Sequence, residues 1–445
     1  MHKTTLVLMI AILFFSVKGE AQKKNFSYFD SLTYNQYQSK EYKKLIKTGK
    51  EALHSGFDYY YLRMRIGIAL YNRQEYRLAI PHFEKALTFS DNDIAMEYLY
   101  YSALWGGEPL KAQKLVNSMS EALKSKLGVK EKGILSTNID MALLNKSEDI
   151  PDDFEYPANE DGYQVIPKQF FNTSLSLSHK AGSGASMSHM LTYLHKSNSK
   201  YAYSSDYSPA PNDPYFPYND NFSTNQFQYY LSSSVTLGRG WNFMLGGHAA
   251  AIATPKYTYG SMFYRGQIQY SYEQTTDWSF DFALSASMLK NFSRMSVEGE
   301  IAIMSMNDKF IVQPAVILRL YPLGNMNLYT ESLFSYSIRE NSKFFQQQKL
   351  GFKVLDHLWL EGMYFSGDIS GFTLNNGSMF FNGLEEVNSM AGGQMIIPTK
   401  TRFSLSLGYQ NRKQTNYFVN FNDDSRSNSL KLNYSLIFLT LTWTL

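Results

Sequence analysis

The sequence contains no cysteine among its 445 residues. This absence excludes a disulfide framework, a thiolate-ligated metal and attachment to a membrane through a lipidated cysteine. Beyond Phe15 there is no apolar run long enough for a membrane-spanning helix, which needs about 20 residues. The net charge is only +3, which argues against a nucleic-acid partner.

The N-terminus has the pattern of an export signal. Lys3 supplies a positive charge, and the run LVLMIAILFF after it is ten apolar residues long. Gly19 and Ala21 are small residues at the −3 and −1 positions of a cut before Gln22. A helix formed by the ten apolar residues would span about 15 Å, half of a bilayer core. We predict a signal peptide over residues 1–21, with a retained anchor helix as the alternative.

Residues 22–127 show a helical period that repeats. Tyr42 and Ala52 recur 34 residues later as Tyr76 and Ala86. This segment resembles the tetratricopeptide repeat, which implies an α-solenoid whose concave face binds a protein. In that family Gly67 and Ala79 lie where the two helices of a unit approach closely, and Phe83 and Ala86 pack on the next unit. The packing positions of the middle unit are Gly67, Tyr76, Ala79, Phe83 and Ala86. An unrelated array of helical hairpins is the alternative.

The helical period ends before residues 128–168, which include the acidic, proline-containing stretch KSEDIPDDFEYPANEDG. This composition is typical of a linker. From Gln169 to the end the apolar residues alternate with polar ones, as in a strand with one face in water. The runs are about 10–13 residues long, the length of a tilted membrane-spanning strand, whereas soluble strands average about five or six.

We therefore predict an α+β multidomain fold. An N-terminal α-solenoid precedes a 12–14-stranded antiparallel transmembrane β-barrel over residues 169–445. An aromatic content of 16% fits a barrel with aromatic girdles, although a soluble protein with large sheets could share it. A count of 14 strands puts the loop at 197–225 at the opposite end from the later long loops. Leu436 and Ile437 belong to alternations of opposite phase, which predicts a β-bulge near 436–438.

The alternation assigns a set of polar side chains to the barrel lumen. Its members are Arg265, Gln267, Gln269, Glu273, Glu298, Glu300, Gln313, Arg319, Glu331, Glu361, Arg402 and Lys431. Both charge signs are present. Either these charges pair across the lumen and stabilise the wall, or they line a path for a substrate or an ion.

No catalytic motif is present: there is no G-x-S-x-G elbow, H-E-x-x-H, P-loop or dinucleotide fingerprint. We predict no enzymatic activity, no cofactor and no metal. The alternative is an outer-membrane enzyme that modifies lipid or glycan and assembles His189 or His248 with a serine from another strand.

The order of segments resembles that of outer-membrane exopolysaccharide exporters. The resemblance implies a cell-outer-membrane protein with its N-terminal domain in the periplasm, acting as an assembly scaffold or as an export component for polysaccharide or protein. The alternative is a selective or passive pore capped by the repeats. The partners expected are outer-membrane lipid, a periplasmic protein and a glycan, and no nucleic acid.

Overall fold

The computed structural model describes residues 25–129, 133–147, 162–203, 220–264, 267–383, 385–399, 402–420 and 425–444. Contacts divide the chain into two units, Met1–Leu99 and Tyr100–Leu445. The predicted signal peptide lies outside the described residues. Within the described ranges, no helix is both long and apolar enough to cross a bilayer.

The described residues form seven helices. Their bounds are α1 Phe26–Gln38, α2 Tyr42–His54, α3 Tyr60–Asn72, α4 Tyr76–Leu87, α5 Asp93–Trp105, α6 Pro109–Val116 and α7 Glu121–Leu127. The side chain of Asn25 begins α1 by accepting a hydrogen bond from the Tyr28 backbone N–H at 2.9 Å. Helices α1, α3 and α5 begin 34 and 33 residues apart, so the helices follow the period of the sequence.

Helices α3 and α4 pack through the positions that the repeat pattern singles out. A Cβ added to Gly67 would lie 2.6 Å from Cε1 of Phe83, so the close approach of the two helices requires glycine there. Ala79, Phe83 and Ala86 are fully buried. The Phe83 ring also stacks on Tyr98 of α5, with centroids 5.3 Å apart. A small residue facing a large one therefore sets the spacing of this helix pair.

In the part of the chain that the structure describes, fourteen strands form a closed antiparallel barrel, and two further strands form a separate hairpin, β12–β13. The barrel confirms the predicted antiparallel fold. The strand bounds are β1 Ile134–Lys146, β2 Gly162–Gly182, β3 Ala185–Tyr203, β4 Asp220–Gly238, β5 Trp241–Tyr264, β6 Gln267–Asn291, β7 Met295–Met306, β8 Lys309–Leu320, β9 Leu328–Ser337, β10 Lys343–Leu355, β11 Leu358–Ser366, β12 Phe372–Leu374, β13 Met379–Phe381, β14 Glu386–Pro398, β15 Phe403–Asn420 and β16 Arg426–Thr444.

The barrel begins earlier than the alternation predicted. Strand β1 lies inside the segment that we predicted to be a linker over 128–168, and it pairs with both β2 and β16 to close the barrel. Strand β2 then begins at Gly162 rather than at 169. On β1, Met141 is 44% exposed, while Asp140 accepts a hydrogen bond from Thr440 at 2.6 Å. The strand missed in the prediction explains why the loop at 197–225 was assigned to the wrong end.

Strand β16 has no bulge at 436–438, so that prediction was wrong. Its register with β15 runs without a shift from Asn416↔Leu430 to Phe403↔Trp443. Leu430, Leu432 and Tyr434 are buried and pack with residues of β1 and β2. The two phases reconcile because the first series faces inward and the second outward, and the lumen is apolar at this point.

The two faces of the wall differ in polarity. Phe280, Leu284 and Phe310 point outward and are 71%, 63% and 65% exposed. Inward positions of the same strands carry polar residues such as Ser285 and Gln313, which are nearly inaccessible. An apolar exterior around a polar lumen is the pattern of a transmembrane barrel.

The two ends of the barrel also differ. Turns at 183–184, 239–240 and 356–357 lie at one end, the short-turn end. The connection from β11 to β14, which contains the β12–β13 hairpin, lies at the other, the loop end.

Candidate functional site

A hairpin folds into the bore of the barrel. Residues 368–383, which we call the lumen hairpin, leave the wall after β11 and contain β12 and β13. Ile369, Phe372 and Leu374 are 1%, 0% and 3% exposed. They pack in one apolar cluster with wall residues that include Phe345 and Phe365. The base of the hairpin is thus held by apolar contacts with β10 and β11.

The tip of the lumen hairpin is held by polar contacts with β4, β5 and β6. The Asn376 carbonyl accepts hydrogen bonds from Tyr230 Oη at 2.9 Å and from Ser285 Oγ at 2.6 Å. Nδ1 of His248 lies 2.7 Å from the Gly377 carbonyl. A Cβ on Gly246 would lie 2.5 Å from the same Asn376 oxygen, so glycine allows the tip to approach the wall.

Gln313 on β8 holds the hairpin in the way that a neighbouring strand would. Its Nε2 donates to the Thr373 carbonyl at 2.8 Å, and its Oε1 accepts from the Thr373 backbone N–H at 2.9 Å. Two further amides bond to wall carboxylates: Asn376 to Glu298 at 3.2 Å and Asn382 to Asp281 at 2.7 Å. Polar side chains of the wall therefore satisfy the hairpin's backbone and amide groups.

Ion pairs fix both ends of the segment. At its start, the Lys343 ammonium pairs with Asp368 and donates to Ser370 Oγ at 2.8 Å. At its end, Glu385 lies 2.8 Å from Lys196 Nζ and 3.7 Å from Arg412 Nη2. These pairs join the segment to β3, β10 and β15, on opposite sides of the barrel.

Two cavities of the bore lie one on each side of the hairpin tip. The outer chamber, towards the loop end, has a volume of about 1970 Å³, and the inner chamber, towards the short-turn end, about 530 Å³. Asn375 and Ser378 line both. The tip therefore separates two cavities in one polar bore.

Residues 107–111 line the inner chamber. A Cβ on Gly107 would lie 2.6 Å from Sδ of Met326, in the turn after β8. The helix that follows, α6, reaches the other short turns, since Lys114 Nζ donates to the Thr236 carbonyl at 3.3 Å and Asn117 Nδ2 to Ser183 Oγ at 3.0 Å. This part of the chain covers the short-turn end of the lumen.

Six residues of the predicted lumen set lie inside the barrel. They are Glu298, Glu300, Gln313, Arg319, Glu331 and Glu361. Arg319 lies between two carboxylates, 2.8 Å from Glu298 and 2.6 Å from Glu331. Lys349 adds a further pair to Glu331 at 3.3 Å. Glu361 accepts hydrogen bonds from the Tyr329 hydroxyl and from Gln394 at 2.5 Å. Most of these charges pair across neighbouring strands.

Two members of the set do not face the lumen. Arg402 is exposed in the turn between β14 and β15, where its φ is +67°. Lys431 is exposed on the outer wall, because its neighbours Leu430 and Leu432 take the inward positions. Arg265 lies outside the described residues, as do the side chains of Gln267, Gln269 and Glu273.

The anchors of the lumen hairpin were not singled out from the sequence. His248 was noted only as a possible catalytic residue, and Lys196, Glu385 and Arg412 were not noted. A signal was present at His248, because the outward phase of Ala249 and Ala251 places it inward. The alternation of apolar and polar residues does not indicate that a loop occupies the bore. Among the described residues, no three His, Cys, Asp or Glu side chains are grouped so as to hold a metal ion.

Several solved barrels are similar to this chain. A Pseudomonas aeruginosa FadL homologue is 8% identical over 71% of this chain and 90% of its own, with a TM-score of 0.43. The Pseudomonas putida toluene transporter TodX is 7% identical over 75% and 92%, with a TM-score of 0.37. The KdgM porin in complex with oligogalacturonate is 7% identical over 70% and 99%, with a TM-score of 0.30. At these scores the likenesses say nothing of what this chain binds. No protein-family model and no curated protein matches the sequence.

Proposed function

We propose that the protein is an outer-membrane conduit for water-soluble solutes, whose bore is closed by the lumen hairpin. The observation that carries this proposal is the pair of cavities that meet at Asn375 and Ser378. The apolar outer face supports a place in the membrane, because large apolar side chains on that face are more stable in contact with lipid than with water. A barrel that served as an anchor alone would need neither cavity.

The contacts of the hairpin suit a gate. Its tip is held by hydrogen bonds to side chains, each of which contributes about 0.5–1.5 kcal/mol net because water can replace the partner. Its base is held by the apolar cluster around Phe372. The strand ladders of the wall do not depend on it, since β11 and β14 pair directly over eight residue pairs. The tip can therefore leave the bore while the base and the wall stay in place.

The test is single-channel conductance of the full chain in planar bilayers. One variant replaces residues 371–381 by a short Gly-Ser link that joins the two ends of the lumen hairpin. We expect brief or no openings for the native protein, and a large, lasting conductance for the variant. Equal conductance of two barrels that both show a heat-dependent shift in gel migration would contradict the proposal.

We further propose that residues 22–127 form a tetratricopeptide-like unit in the periplasm, after removal of residues 1–21, and that this unit binds a periplasmic protein. The 34- and 33-residue spacing of the helices and the Gly67–Phe83 contact support it. Tyr61, 64% exposed, lies on this unit with the Arg65 guanidinium 6.0 Å from its ring centroid, an arrangement suited to a protein contact.

A role in export of polysaccharide or protein is the second candidate function, and the helical array favours it. Both roles predict a protein that co-purifies with the native chain and is lost in Tyr61→Ala but kept in Phe89→Ala, whose ring is also exposed on this unit. Export additionally predicts that deleting the gene removes a polymer or protein from the medium. A solute conduit predicts loss of uptake instead.

We propose no catalytic role for the chain, in keeping with the lack of catalytic motifs in its sequence. The partners proposed are outer-membrane lipid around the barrel, a protein at the helical unit and, for an export role, a glycan. A small net charge supports no nucleic-acid partner.

A further inference from the structure

The outer chamber carries an excess of positive charge. Nine basic side chains line it: Lys196, Lys200, Lys256, Lys309, Arg339, Lys343, Lys349, Arg412 and Arg426. Of the acidic side chains that the structure describes, only four do so: Asp140, Asp277, Glu340 and Glu385. The whole chain has a net charge of only +3, so the imbalance is a property of this cavity. A concave cavity with charges of one sign raises the local concentration of the opposite ion.

Part of the positive charge is neutralised by the protein itself. Lys196 and Arg412 share Glu385, Lys343 pairs with Asp368, and Lys349 pairs with Glu331. Among the residues that the structure describes, four of the other basic side chains form no ion pair with a carboxylate. They are Lys256, Lys309, Arg339 and Arg426.

Arg339 and Arg426 both line the outer chamber at its loop end. Among the described residues, the Arg339 guanidinium donates to two carbonyl groups, those of Ser370 at 3.0 Å and Asn341 at 3.2 Å. Its half-burial, and then the charge of nearby Arg426, hold the pKa of Arg339 below its usual range. Arg426 lies over the ring of Tyr417, 5.4 Å from its centroid. Neither guanidinium forms an ion pair with a described carboxylate, so a bound anion would supply a charged partner for both.

The deeper wall of the chamber offers polar atoms as well. Arg412 Nε, Thr192 Oγ1, Asn198 Oδ1 and Asn416 Nδ2 are buried and have no hydrogen-bond partner among the described residues. All four residues line the chamber, on β3 and β15. Buried polar groups are stabilised by a partner that is itself polar. The wall therefore suits a hydrophilic solute.

We propose that the outer chamber is a binding vestibule for small hydrophilic polyanions, with carboxylate or phosphate groups held by Arg339, Arg426 and Lys309. This inference rests on the proposed conduit and names the class of solute that it admits. The volume of about 1970 Å³ accommodates a solute of several hundred daltons together with water.

The test is calorimetric titration of the purified full chain in neutral detergent with citrate, a trianion, as the probe. The binding variant combines Lys309→Gln, Arg339→Gln and Arg426→Gln. The control variant removes three positive charges elsewhere, through Arg402→Gln, Lys413→Gln and Lys431→Gln, all of which are exposed and do not line the chamber. We expect citrate to bind the native and control proteins, and to bind the binding variant at least tenfold more weakly.

The comparison with other solutes sharpens the result. Spermidine, a trication, and sucrose, which is neutral, are expected not to bind. The inference is overturned if citrate does not bind the native chain, if both variants lose the same affinity, or if spermidine binds more tightly than citrate. Binding in detergent does not require conduction, so these outcomes are separate from the conductance test. If citrate binds the native chain but the variant that lacks residues 371–381 does not conduct, the proposed conduit is rejected and the anion-binding site is retained.

Discussion

The first unit, Met1–Leu99, which we call the helical unit, and the barrel place their large apolar side chains in opposite directions. Ile66 and Phe83 of the helical unit are fully buried, as in any protein that folds in water. Phe280 and Phe310 of the barrel are 71% and 65% exposed on its outer face. The same hydrophobic effect produces both arrangements if the first unit is surrounded by water and the second by lipid. The direction of the apolar face therefore indicates the solvent of each unit.

The largest effect on this comparison is expected from the core of the helical unit. Phe83→Ala removes a fully buried ring that packs on Gly67 and Tyr98, and we expect it to destabilise this unit by about 3–5 kcal/mol. The measurement is thermal unfolding of the full chain in detergent, followed by circular dichroism at the helical band. Phe89→Ala, at a ring that is 45% exposed, is the control and should change little. Equal effects of the two changes would show that α3 and α4 do not pack in this way.

A charge on each exposed apolar position tests the two solvents directly. Val316 on β8 and Ile94 on α5 are 46% and 56% exposed. Val316→Arg should destabilise the barrel in lipid vesicles by about 2–4 kcal/mol, because an arginine near the middle of a bilayer is poorly solvated. Ile94→Arg should change stability by less than about 0.5 kcal/mol. The check is equilibrium unfolding in denaturant, and a harmless Val316→Arg would place the outer wall in water.

The lumen hairpin provides a third comparison, between the inside and the outside of the barrel wall. Gln313→Leu removes both hydrogen bonds to Thr373 and leaves its backbone unpaired, at a cost of about 1–3 kcal/mol. Channel openings in planar bilayers should then become about 5- to 150-fold more frequent. Gln348→Leu alters an exposed glutamine on the outer wall that bonds Ser332, and should leave the openings unchanged. An unchanged frequency in Gln313→Leu would mean that this bond does not hold the gate.

The smallest effect is expected from pH, and it should be confined to the helical unit. Burial, and then the charges of Arg63 and Lys50, lower the pKa of His82 to about 4, from the value of about 6.5 that an exposed histidine has. The folded unit therefore favours the neutral ring. Its stability should be constant above pH 6.5 and fall as the pH drops from 6.5 towards 4, by about 1 kcal/mol at pH 5.5.

The measurement is the melting temperature of the helical signal between pH 7.5 and pH 5. His82→Gln is the control, and it should lose most of this pH dependence. A native protein that is equally stable at both pH values would show that His82 is not desolvated.

The sequence predicts the wall better than the lumen. Outward positions such as Phe280 and Phe310 alternate over long runs because lipid accepts only apolar side chains there, so the period is clear. The lumen accepts both kinds of residue. Leu430 and Leu432 face inward although they are apolar. For this reason the sequence wrongly predicted a bulge in β16 and an inward position for Lys431.

The first strand and the hairpin escaped prediction for other reasons. Strand β1 is separated from the rest of the barrel sequence by an acidic, proline-containing segment, so it was included in the predicted linker. The position of the lumen hairpin depends on tertiary contacts such as that between Gln313 and Thr373, which are 60 residues apart in the sequence. Local pattern carries no information about such a contact.

The most direct test of the account is the environment of successive residues on β8. Because the chain lacks cysteine, single cysteines at Ala315, Val316, Ile317 and Leu318 can each carry one fluorescent label. Val316 and Leu318 are 46% and 36% exposed, whereas Ala315 and Ile317 are 6% and 3% exposed. In vesicles with brominated lipid, we predict strong quenching of the label at 316 and 318 and little at 315 and 317. Uniform quenching at all four positions, or quenching by aqueous iodide at 316 and 318, would contradict a lipid-facing wall around a solute-bearing bore.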